Sequence, residues 1–291
     1  MIGLVLGLLL APLLPGLITR VKAFMGGREG APAVQPYYEL ARLLGKGAVY
    51  SRTTTSVFRL APSVALAATL GALALVPLGS APALAAFPGD FLVLAGLLAV
   101  ARFSLVLAAL DTGSSFEAMG ASREVWIGAL AEMGLLVSLA AAARIGHGLS
   151  LSELAMPRDP AAWTASLPVL GLLAVGLTLL ALAECARIPV DDPTTHLELT
   201  MIHEVMILDH SGPDLAALLY ASHLKMWILG SLVLAVIGVD GWPLVAVALL
   251  GVWAGIVGLV ESSAARLSMA RIPQFLAVAL ALAVVAFLMG S

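Results

Sequence analysis

Eight apolar runs of about 20 residues, the length a helix needs to cross the hydrocarbon core of a bilayer, recur along the chain. They lie at 2–19, 57–79, 91–110, 125–143, 165–183, 216–238, 242–261 and 273–290. Such runs leave few folds open, because hydrocarbon offers no hydrogen-bond partners and each backbone must satisfy itself. The fold they predict is all-α: a single polytopic membrane domain, 1–291. The polar surface is too thin for anything else. Apolar residues make up 61% of the 291 and charged residues 11%, against roughly 25% charged in a soluble protein. No period of 20–50 residues repeats, and no inverted halves of the kind many transporters show are visible.

On its charge order the first run is expected to stay in the mature protein rather than to act as a signal peptide. No basic residue precedes it, and Arg20 and Lys22 follow it, the reverse of a signal peptide. Basic residues also orient the bundle. Eleven of them lie in the 20–59 stretch and in loops 111–124, 184–215 and 262–272. Only two, Arg144 and Arg158, lie on the opposite side. Both termini are therefore expected outside and these loops in the cytoplasm. Within the first loop, Pro36 can open a helix. Tyr37, Leu40, Ala41 and Leu44 would then share one apolar face, as in a helix lying along the membrane surface.

Several ionisable residues sit inside the runs, where each costs about 2.5–3.5 kcal/mol on insertion scales unless it faces a partner or water. Arg102, Glu132 and Lys225 lie within runs, Glu261 ends the seventh and Glu184 closes the fifth. Two cations and three anions are thus available to pair inside the bundle, either as structural ion pairs or as a proton or ion relay. Lys225 and Glu261 are also placed to snorkel to an interface. Loop 184–215 carries Glu184, Asp191, Asp192, Glu198, Glu204, Asp209 and Asp214 against Arg187 alone. An acidic loop on the otherwise basic side suggests that some of these carboxylates point inward.

Metal and redox chemistry find little here. His196, His203 and His210 are seven apart, about 10.5 Å on a helix, whereas chelation from one helix wants i and i+4. Cys185 is the single cysteine, so no disulfide and no four-thiolate centre forms within the chain. A net charge of −3 gives no reason to expect nucleic acid.

Three loop motifs resemble one family. Glu184-x-x-Arg187-x-Pro189-x-Asp191-x-Pro193, followed by Glu198, resembles the E-x-x-R-x-P-x-D signature of the eight-helix "heel" family of membrane proteins in respiratory complex I (NADH–quinone oxidoreductase). Gly27-Arg28-Glu29-Gly30 with Gln35-Pro36 resembles that family's first-loop motif, and Ser122-Arg123-Glu124 stands where complex I has Ser-Tyr-Glu. The segments Leu110–Phe116 and His203–Gly212 depart from complex I and are similar to the formate hydrogenlyase subunit 4 branch, which anchors energy-converting nickel–iron hydrogenases.

The resemblance implies a multi-pass subunit of the inner or plasma membrane, beneath an arm whose nickel–iron centre and Fe–S clusters belong to partner chains. The cofactors of this chain itself are expected to be none. The partners implied are hydrogenase large and small (Fe–S) subunits, antiporter-like membrane subunits and the lipid bilayer. Carried onto this sequence, it gives a proton-transfer or coupling set of Arg102, Asp111, Glu117, Glu124, Glu132, Glu184, Arg187, Asp191, Glu198, Glu204, Asp209, Lys225 and Glu261. Arg28, Gln35, Pro36 and Arg42 fall to the arm interface. The hydrogenase branch passes electrons to protons and needs no quinone. A quinone-site subunit of a complex I-like enzyme is the alternative, and needs a lipid-accessible cavity at loops 20–56 and 184–215. A stand-alone ion transporter is the second.

Overall fold

The computed structural model describes residues 1–154, 160–191, 201–238 and 241–290, with the backbone alone at 160–165. The readings placed on Arg158, Asp192, Pro193, His196 and Glu198 lie outside the described residues. Twelve α-helices follow in order among the described residues: α1 Ile2–Leu10, α2 Leu13–Met25, α3 Gln35–Leu44, α4 Ser56–Ala74, α5 Asp90–Asp111, α6 Ser115–Gly146, α7 Leu151–Leu154, α8 Pro160–Glu184, α9 His203–Met206, α10 Gly212–Ile237, α11 Pro243–Ser263 and α12 Ile272–Met289. No strand joins them among the described residues beyond an isolated bridge between Leu78 and Ala81.

Among the described residues seven helices are long and apolar enough to cross a membrane, and the bent pair α1–α2, taken as one span, brings the count to eight. Loop contacts support counting that pair as one crossing. A Cβ on Gly3 would touch Leu78, whereas Lys22 reaches Glu261 at the end of α11. The loops sort onto two faces accordingly. Gly89 N–H donates to the Leu149 carbonyl and Ser80 N–H to that of Gly241 on one face. On the other, Val49 N–H donates to Ser211 Oγ and Leu267 N–H to the Pro189 carbonyl.

The first run differs from the continuous 2–19 expected. It breaks at Ala11–Pro12 with a 47° bend and runs on to Met25. Pro12 has no N–H to give the Leu8 carbonyl, and in an apolar surrounding that acceptor needs another donor. Tyr220 Oη of α10 donates to it at 2.7 Å, and Tyr37 Oη of α3 donates to the next carbonyl, Leu9, at 2.6 Å. The second run also ends early, at Ala74 rather than 79. The fourth is longer than read, because α6 begins ten residues before 125.

Lipid is as apolar as the side chains, so close packing rather than hydrophobic expulsion holds membrane helices together, and small residues let backbones approach. Ala61, Ala65, Ala68 and Ala72 make a buried stripe on α4, which packs on α5 and α10. Ala279, Ala283 and Ala286 do the same for α12 against α6 and α8.

Helix α3 packs on α10 and α2. Its buried side is rotated from the one read in the sequence. Leu43 is buried and Tyr37 and Leu40 are half-buried, but Ala41 and Leu44 are exposed. The chain leading into α3 is pressed against α2, where the Ala33 carbonyl lies so close to Gly16 that no Cβ would fit.

Candidate functional site

Glu124, Gly128 and Glu132 are spaced four apart on α6, so they stack on one helix face. Arg102 of α5 lies across them. Its Nε is 3.5 Å from Glu124 Oε1, its Nη1 3.4 Å from Glu132 Oε2, and its Nη2 donates to Glu184 Oε1 at the end of α8. Lys225 Nζ of α10 completes the group, 2.6 Å from Glu184 Oε2. Four crossing helices thus meet at one cluster of two cations and three carboxylates. One carboxylate is in excess. In a low-dielectric interior an uncompensated charge is strongly disfavoured, so the excess calls for a proton or a cation. Glu184 is held by both cations, which leaves Glu124 and Glu132 as the loosely held members.

Gly128 makes the arrangement possible. A Cβ there would come within 2.5 Å of Arg102 Nη1, and the guanidinium, held in three ion pairs, has nowhere to retreat. Gly128→Ala is expected to lower stability by about 1–3 kcal/mol, the range for overpacking a filled site. Thermal unfolding in detergent checks this, and a melting temperature equal to the parent's would show that the cluster gives way. Hydropathy alone missed Gly128, but a small residue midway between two carboxylates at i and i+8 was a readable signal.

Glu261 belongs elsewhere. The trio expected to pair in the interior included it, but Glu124 takes that place. Glu261, its side chain fully buried, is 2.9 Å from Lys22 Nζ and 3.5 Å from Arg187 Nη1. The cause is packing order, since α11 lies beside α2. Neither Lys225 nor Glu261 snorkels. A third pair joins Arg266 to Asp191 at 2.9 Å, and Asp191 Oδ2 also accepts from the backbone N–H groups of Ile202 and His203 at 3.0 and 3.2 Å.

The remaining candidates scatter around this axis. Asp111 accepts from Thr55 N–H, Thr55 Oγ1 and Phe58 N–H, which caps the start of α4. Glu117 is buried in the first turn of α6. Glu204 is half-buried on α9, and Asp209 is exposed. Arg28, Gln35 and Arg42 are exposed around α3, with Pro36 half-buried. Glu198 lies outside the described residues. The acidic loop is thus mixed: Asp191 points inward, whereas Asp214 accepts from Tyr50 Oη at 2.7 Å near the surface.

His203 and His210 do not share a helix, because α9 ends at Met206, so the seven-residue spacing has no helical meaning. His210 stacks on Phe58, centroids 4.0 Å apart and rings 7° from parallel, and burial holds its pKa below the usual histidine value. Burial likewise pulls His203 down to about 4 and pushes the Cys185 thiol up to about 11. Among the described residues no three His, Cys, Asp or Glu side chains converge as a metal site requires.

A cavity of about 60 Å³ opens onto the cluster, lined by Arg102, Glu124, Glu184, Cys185, His203 and Lys225 with apolar walls from α4 and α5. A second, of about 130 Å³, adjoins it toward α9. A third, about 380 Å³, is an open groove between α5 and α6 where Val100, Phe103, Val125 and Ala129 flank Arg102 and Glu132.

The NADH dehydrogenase family model matches residues 1–290. Hydrogenase-4 component C of Escherichia coli (strain K12) is 33% identical over 229 residues, 78% of this chain and 71% of that protein. Formate hydrogenlyase subunit 4 of the same organism is 33% identical over 223 residues, 75% of this chain and 70% of that one. The solved structure of the membrane-bound sulfane sulfur reductase, an archaeal respiratory membrane complex, contains a chain of the same fold. The TM-score is 0.83 at 19% identity, with 99% of this chain and 97% of that one covered.

Proposed function

The chain belongs to the NADH dehydrogenase family, and from that premise we propose that it is the membrane-anchor and coupling subunit of an energy-converting nickel–iron hydrogenase complex of the formate hydrogenlyase kind. The names of its two relatives support the branch. One observation carries the coupling role: the Arg102–Glu124–Glu132–Glu184–Lys225 cluster, enclosed except at Glu132, whose side chain is about a third exposed, holds one carboxylate more than it has cations. That carboxylate takes up a proton or sodium ion, and a change of charge in a docked redox arm changes how tightly the ion is held. The exposed Arg28, Gln35 and Arg42 beside α3 offer the arm a basic platform. Electron-carrying centres reside on partner subunits, and antiporter-like subunits continue the ion path.

A quinone-site role draws less support. The two cavities at the 184–215 loop measure about 60 and 130 Å³, below the roughly 150 Å³ that admits a benzene-sized ring, and the larger groove at Arg102 and Glu132 is lined by α5 and α6 rather than by the loops at 20–56 and 184–215. Purifying the chain under mild detergent tests the reading: a nickel-containing large subunit and an Fe–S small subunit should accompany it. Recovery of the chain alone, with ion transport of its own, would replace the subunit reading with a transporter.

We place both termini outside, on the eleven-to-two distribution of basic residues. A reporter fused to the C-terminus should be active only when external activity is scored. Activity confined to the cytoplasm inverts the topology.

A further inference from the structure

The open groove of about 380 Å³ between α5 and α6 has apolar walls and one charged edge. Val100, Phe103 and Val125 stand exposed along it, as lipid-facing residues do. Glu132 stands there too, its side chain about a third exposed. Arg102, which it contacts, lies near the middle of α5, so the carboxylate reaches the outside of the bundle near mid-bilayer. The hydrocarbon core is about 30 Å thick, which puts the nearest lipid headgroup roughly 15 Å away. An acyl chain gives a carboxylate nothing to bond, and ionisable groups at this depth face a partner or water rather than lipid.

The site itself dictates the chemistry of its cover. The cluster sets three carboxylates against two cations, and Glu132 is its member at the opening, so the complementary charge is positive. Ala99 and Ala129 line the groove, and a Cβ on Gly96, one turn along α5 from Val100, would meet nothing. Small residues of this kind let a second helix backbone approach closely. An arginine on that helix would keep its charge and pin Glu132 in the ionised form. Lysine and histidine can give their proton up.

We propose that the α5–α6 groove is the docking site of a transmembrane helix from a neighbouring subunit, which carries a lysine or histidine at the depth of Glu132. Resting on the coupling role of the same cluster, this pair is where a proton passes between the two chains. An O–H bond forms on Glu132 as an N–H bond breaks on the partner, turning carboxylate and cation into carboxylic acid and neutral base. The reverse step restores them. A base that can become neutral also tolerates Glu132→Gln, so the complex stays assembled when the exchange is blocked.

The test uses the intact complex. A photoreactive diazirine side chain in place of Phe103, and separately of Val125, should join this chain to one other membrane subunit. The joined peptide should lie in a transmembrane segment with a lysine or histidine within about one helical turn, roughly 5.4 Å. Ala129→Trp fills the groove from its own wall, so the isolated chain should melt with the parent. Recovery of that subunit with the complex should fall about tenfold, as an overpacked contact of ordinary cost implies. Should Ala129→Trp lose stability, Val125→Trp carries the same test. Adducts to lipid alone, a joined helix without a basic residue, or undiminished recovery with a filled groove overturns the proposal. Joining to such a helix while Glu132→Gln moves ions at the parental rate would keep the docking surface but sink the coupling role and the proton exchange.

Discussion

Glu184→Ala will destabilise the protein by about 3–5 kcal/mol, the usual consequence of removing one partner from a buried ion pair. Both carboxylate oxygens are engaged, one by Arg102 and the other by Lys225 at 2.6 Å. Alanine leaves two cations inside the bundle facing Glu124 and Glu132, which contact Arg102 at 3.5 and 3.4 Å and make no ion pair with Lys225 among the described residues. The four helices that meet there lose the contact that orients them. Thermal unfolding and size-exclusion chromatography in detergent read the effect directly. A variant that melts with the parent would show that the cluster is not structural, and the pairing of charges would need another explanation.

Glu132→Gln is expected to do the opposite, leaving the protein standing and removing its coupling. Glu132 is held by one long contact to Arg102, and its side chain is about a third exposed to the α5–α6 groove. Arg102 keeps Glu184 and Glu124 when Glu132 is neutralised, so no cation is stranded. Glutamine preserves shape and hydrogen bonding, yet it cannot take up and release a proton. The complex should assemble, reduce or oxidise a soluble acceptor at near the parental rate, and move almost no ions in sealed vesicles. Loss of assembly and all activities together would make Glu132 a structural residue. Parental ion movement would remove it from the path.

The bundle was legible because a membrane imposes one rule everywhere: a span must be apolar for about 20 residues and helical throughout. The rule locates helices but not their kinks or neighbours. Pro12 was visible as an interruption, but Tyr37 and Tyr220, which take over the carbonyls it frees, sit 28 and 212 residues from their acceptors. The in-membrane charges announced a cluster by their cost alone, and Arg102, Glu132, Glu184 and Lys225 do meet. Glu261 was grouped with them because composition carries no information about which helices touch. It lies against α2 instead, paired with Lys22. Asp111 and His210 show the same limit, since residue type does not name a partner: Asp111 accepts from Thr55 and Phe58 at the start of α4, and His210 stacks on Phe58.

Reaction-induced infrared difference spectroscopy on the intact complex tests the central claim most directly, because the carbonyl stretch of a protonated carboxyl group is separate from protein amide bands. Cycling the arm between its oxidised and reduced states should produce a carboxyl band that gains or loses intensity. The band should shift in heavy water and vanish in Glu132→Gln or Glu124→Gln. A difference spectrum with no carboxyl band, or one that survives in both variants, would contradict the assignment of the excess carboxylate as the coupling group.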